Sequence, residues 1–64
     1  MTTRERIEID VCAVNTVLRE KVSTMSLVEL LCNCHPLNRG EFAFKLYKEK
    51  LLTKEEAAKF TKIV

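Results

Sequence analysis

One local pattern recurs four times in this chain and constrains its fold more than any other. A Ser, Thr or Asn is followed three residues later by Glu at Thr2–Glu5, Ser26–Glu29, Asn38–Glu41 and Thr53–Glu56. In a capping box each of these side chains bonds the other's orphaned backbone N–H, which starts a helix at that point. Four such starts in 64 residues leave room only for short helices joined by short links. With one Gly and one Pro, the chain also lacks the residues that tight hairpin turns require. The expected fold is therefore all-α, a compact single domain over residues 1–64 with three or four helices.

Apolar spacing sets the expected elements. Ile7, Val11, Val14, Leu18 and Val22 fall within ~80° on a helical wheel, so a long first helix is expected from about Thr3 to Val22. Arg6 to Val11 also alternates with period two and is β-branched, as an edge strand would be. The stripe continues to Val22 and the alternation does not, which favours helix. A second, short helix is expected from Leu27 to about Asn33, apolar on nearly every side. The third is expected from Arg39 to about Leu51, with Phe42, Ala43, Leu46 and Tyr47 on its apolar side and Phe44 and Leu51 widening the arc. The fourth is expected from Lys54 to Ile63, with Thr53 as N-cap. Helix 1 should be the longest, and the last two should pair as an antiparallel hairpin. The stretch LYKEKLLTKEEAAKF, under a quarter of the chain, resembles the helical hairpin that ends some short bacterial oligomerisation domains. The likeness lies in the turn Leu51-x-Thr53-x-Glu55-Glu56, which is generic capping chemistry, so no function is carried over from it.

Several function classes find little support. Cys12, Cys32, Cys34 and His35 number four, as zinc requires. If helix 2 continues through Cys34, however, Cys32 and Cys34 point ~200° apart and cannot share an ion, whereas a helix that stops at Leu31 would let the segment coordinate one. The expectation is a small core hydrophobe at Cys34 and a turn at His35-Pro36, with no metal and no cofactor. Cys12 lies off the apolar stripe and reads as an exposed thiol. His35 has no fixed carboxylate or nucleophile partner and there is no Gly-rich phosphate loop, so the chain is not expected to be an enzyme. No apolar run reaches the ~18 residues of a membrane span. MTTRERIEID is too polar for a signal peptide, and the odd cysteine count suits a reducing compartment, so the expected location is the cytoplasm.

Charge is uneven. Residues 1–37 carry four cations against five acids, and residues 38–64 carry seven against four. A nucleic-acid reading would treat helices 3 and 4 as a helix-turn-helix, with Lys45, Lys48, Lys59 and Lys62 on phosphates. Its recognition helix would open on Lys54-Glu55-Glu56, and two carboxylates there repel a duplex. This reading stands second. The first is protein binding. Ile9, Ala13 and Val17 form a second apolar ridge on helix 1, well away from the first, and a core this small cannot cover every ridge. Phe44, with a basic rim from Lys45 and Lys48, offers a further face. The expectation is a small module that modulates a larger partner by docking an apolar helix face, with homodimerisation through helix 1 alongside. Its size matches bacterial accessory regulators or phage-encoded modulators.

Overall fold

Helix α1 (Thr3–Val14) begins where the first capping box predicts. Glu5 N–H donates to Thr2 Oγ1 at 3.1 Å and Thr2 N–H donates to Glu5 Oε1 at 3.3 Å. The computed structural model describes residues 1–63, and among them there is no strand, so the alternating run Arg6–Val11 is helical. Ile7 and Val11 are fully buried.

The long first helix is not formed. It ends at Val14, because Asn15 turns to an extended backbone (φ −145°, ψ 97°) and its side-chain oxygen accepts the Val17 N–H at 3.1 Å. An Asn side chain competes with the helix for backbone donors, and the β-branched Thr16 and Val17 that follow do little to oppose it. The chain continues as two 3₁₀ turns, Thr16–Glu20 and Val22–Thr24. Val22 is buried as the stripe predicts, but it reaches the core by the chain doubling back. Arg4 fastens that return: its Nη2 donates to the carbonyls of Val22 (3.1 Å) and Met25 (2.6 Å), while its Nε pairs with Glu8 at 3.0 Å.

Helix α2 (Leu27–Asn33) matches expectation. Ser26 Oγ accepts the Glu29 N–H at 3.2 Å, which is half of a capping box. Leu30 and Leu31 are fully buried. The helix stops at Cys34, whose backbone is extended (ψ 172°), as expected two residues before Pro36.

Helix α3 (Pro36–Lys48) starts three residues earlier than expected and is one residue longer than α1. Its N-cap is His35, whose Nδ1 accepts the Leu37 N–H at 3.1 Å, and Pro36 takes the first helical position. That position needs no N–H, and proline's fixed φ suits it. Asn38 is thus inside the first turn and caps nothing; its Nδ2 donates to Asp10 Oδ1 at 3.1 Å. At the far end, Leu51 N–H donates to Leu46 O (2.9 Å) and Lys50 N–H to Tyr47 O (3.0 Å). These two bonds make a Schellman motif, which ends the helix before the expected Leu51. Lys50 holds the left-handed position that glycine usually fills, at φ 64°.

Helix α4 (Lys54–Ala58) has the full capping box at Thr53 and Glu56 but only five residues, well short of Ile63. Its last turn tightens through Lys59 N–H to Glu56 O and Phe60 N–H to Ala57 O. Phe60 and Ile63 still pack against the core, without helical backbone.

Helices α1 and α3 run antiparallel. Thr3, at the start of α1, donates to Glu49, beyond the end of α3, while Asp10 in the later half of α1 meets Asn38 in the first turn of α3. Ile7, Val11, Leu30, Leu31, Ala43 and Leu46 form the centre of the core, closed by Cys34, Leu52 and Ala57. No polar or charged residue is buried among the described residues. The Cα radius of gyration is 10.9 Å, against about 10.7 Å for a well-packed chain of this length.

Candidate protein-interaction faces

The two helices that sandwich the core each leave an apolar face outside it. On α1, Ile7 and Val11 point inward, so Ile9 and Ala13 lie on the far side at 100° per residue. Ile9 is 57% exposed and Ala13 is exposed. They line a groove of 570 Å³ that runs between the outer side of α1 and the returning 3₁₀ segment. Glu8 and Cys12 come from α1, and Arg19 and Val22 from the return; Glu5 lies at the N-terminal end. Val17 is 78% exposed but is not part of this groove. The i, i+4, i+8 ridge assumed a helix continuous to Val22, and the break at Asn15 takes Val17 off it.

On α3, Ala43 and Leu46 are fully buried, and Phe44 turns outward with 42% of its surface exposed. Lys48 Nζ lies 5.2 Å from the centre of the Phe44 ring, within the range of a cation–π contact. Lys45 pairs with Glu41 at 3.7 Å, a solvent-exposed i, i+4 contact. Leu37 lies seven residues before Phe44, on the same side of the helix, and is 86% exposed. It was not expected here, because a helix starting at Arg39 leaves Leu37 in the preceding turn. The His35-Pro36 pair, an N-cap followed by proline at the first position, is the sequence signal for the earlier start. Phe44, Lys45 and Lys48 therefore share one face, while Ile9 and Ala13 occupy another on a different helix.

The cysteines and histidine go to different places. Cys34 is 2% exposed and its Sγ donates to Leu31 O at 3.2 Å. Burial pushes its thiol pKa up, opposed by the nearby Arg39 guanidinium. Cys32 is exposed, and Cys12 is half-buried in the α1 groove rather than fully exposed as expected. His35 is occupied as a cap. Among the described residues no three His, Cys, Asp or Glu side chains converge on a point where a metal could sit.

Three polar ties hold these faces in position, and none was anticipated from sequence. Besides Arg4, Arg39 covers the end of α2: its Nε donates to Leu31 O at 2.6 Å and its Nη2 to Cys32 O (3.1 Å) and Cys34 O (3.3 Å). Asp10 accepts both the His35 N–H (2.8 Å) and the Asn38 amide, which locks α1 to the α2–α3 junction. No helix among the described residues is long and apolar enough to cross a membrane. Compared with known proteins, the chain matches no family model, no curated protein and no solved structure.

Proposed function

We propose that this protein is a small helical interaction module that modulates a larger protein by docking the outer face of α3 onto it. One observation carries this reading: Leu37 and Phe44 stand exposed on a single side of a well-anchored helix, beside a lysine stacked on the ring. Leu37 makes no contribution to the core, and an exposed apolar pair with a charged rim is the form of a docking face. Lys45 and Lys48 outnumber Glu41 around it, so the complementary surface is an apolar pocket with an acidic border. The three unpaired cysteines suit a cytoplasmic setting. Pairing of α3 with the C-terminal segment as an antiparallel hairpin belongs to the same reading, since it would brace the helix that carries the face. The role is that of an accessory regulator of bacterial or phage type.

The nucleic-acid alternative has weaker support. Helix α4, its recognition helix, has five residues and opens on Glu55 and Glu56. The two readings separate in a tagged pull-down from cytosolic extract, with and without nuclease, run with the wild type, Phe44→Glu and Lys48→Glu. A small set of proteins retained by the wild type and lost with both variants is the expected result. Equal retention by all three would remove the α3 face. Recovery that disappears with nuclease would favour nucleic acid.

A further inference from the structure

The α1 groove differs from the α3 face in the signs of the charged residues around it. The α3 face has a predominantly basic rim, so two copies of it repel and it needs a foreign, acidic surface. The α1 groove carries both signs: Glu5 and Glu8 from α1, and Arg19 from the opposite wall. Glu8 is already paired with Arg4, and Glu5 spends its carboxylate on the α1 cap while keeping its charge. Arg19 makes no ion pair among the described residues, although it borders the groove.

We infer that the α1 groove is the interface of a twofold homodimer, in which the Ile9–Ala13 ridge of one copy lies against that of the other and Arg19 of each approaches Glu5 of its mate. A surface that carries both an acid and a base beside an apolar ridge can satisfy itself under a twofold axis. The same residues supply both halves, so no foreign sequence is required. A domain this small commonly gains stability from a second subunit. The consequence deepens the proposed function and rests on it: a dimer built on α1 leaves both α3 faces free, and the module becomes bivalent.

The groove contains its own reporter. Cys12 lines it and is half-buried, while Cys32 is exposed elsewhere and Cys34 is buried in the core. Dimerisation must shield Cys12 and leave Cys32 unaffected. The experiment is sedimentation equilibrium together with maleimide labelling of Cys12 and Cys32, read by peptide mass, across micromolar to millimolar protein. The wild type is expected to move from 7.4 kDa to twice that mass as concentration rises. Labelling of Cys12 should slow in step, with that of Cys32 unchanged. Ile9→Glu and Arg19→Glu should both hold the chain at monomer mass and abolish the protection; both positions are exposed, and circular dichroism checks that helicity persists. A wild type that stays monomeric to millimolar concentration overturns the inference. So does a dimer that survives both substitutions or leaves Cys12 as reactive as before. A monomer that still captures a partner through Phe44 sinks the dimer alone, and a dimer that captures nothing sinks the partner reading alone.

Discussion

At the scale of single residues, Lys50 holds the most costly backbone position. Its φ of 64° places a branched-chain-free but Cβ-bearing residue where glycine is normally found. The left-handed conformation costs an L-residue roughly 1–2 kcal/mol. Lys50→Gly should therefore stabilise the protein by about 1 kcal/mol and raise Tm by roughly 4–8 °C; an unchanged or lower urea midpoint would refute this. Cys34 gives a pH dependence. Its thiol pKa is raised above the usual 9.0 in the native state, so the thiol stays protonated there while that of an unfolded chain ionises. The stability it contributes is fully present below about pH 9 and is lost as pH rises through the folded pKa. Urea unfolding between pH 7 and 10.5 should show a fall that is shallower in Cys34→Ala than in the wild type. Parallel curves would mean that other groups carry the alkaline loss.

At the scale of elements, the helices are short because side chains interrupt them. A capping Asn ends α1, an X-Pro step ends α2, a Schellman turn ends α3, and only a capping box and one buried alanine hold α4. Isolated helices of these lengths are marginal in water, so each depends on the face it buries. Helix α3 has a specific weakness at Gly40. A Cβ built there would meet Phe60 O and Thr61 Oγ1 at 3.5 Å, an ordinary contact distance. Gly40→Ala should then gain the helical preference of alanine, about 0.5–1 kcal/mol, without a steric penalty. A loss of stability on thermal unfolding would mean that Phe60 and Thr61 must shift to admit the methyl group.

For the whole molecule, the margin is narrow. A domain of 64 residues has a net stability of roughly 3–10 kcal/mol. Leu30, on α2, is fully buried in the core, and truncating such a residue costs about 2–5 kcal/mol. Leu30→Ala should leave the chain partly or wholly unfolded at 37 °C. A cooperative melt at the wild-type Tm would show that the core collapses around the gap. Ile9→Glu, by contrast, changes a side chain that is 57% exposed and should leave the melting temperature of the monomer near that of the wild type.

The all-α class, the existence of four helices and the places where α1, α2 and α4 begin were legible in the sequence. Capping chemistry acts over three or four residues, so Thr2, Ser26 and Thr53 carry their signals locally. The inward residues Ile7, Val11, Ala43 and Leu46 were legible too, as members of the apolar stripes of α1 and α3, whereas Val14, on the same stripe as Ile7, is 49% exposed because α1 ends there. The ends of α1, α3 and α4 were not. The side chain of Asn15 competes with the next helical turn, and the sign of that competition depends on whether Arg4 can reach across to hold the returning carbonyls at Val22 and Met25. The start of α3 turned on His35, an uncommon cap whose backbone N–H is taken by Asp10, 25 residues away. Tertiary structure alone decided which apolar residues became faces. Val17 left the ridge of Ile9 and Ala13 because the chain turned, and Leu37 joined Phe44 because the helix began early. Periodicity states which residues lie together on a helix; only the packed chain decides how far that helix runs.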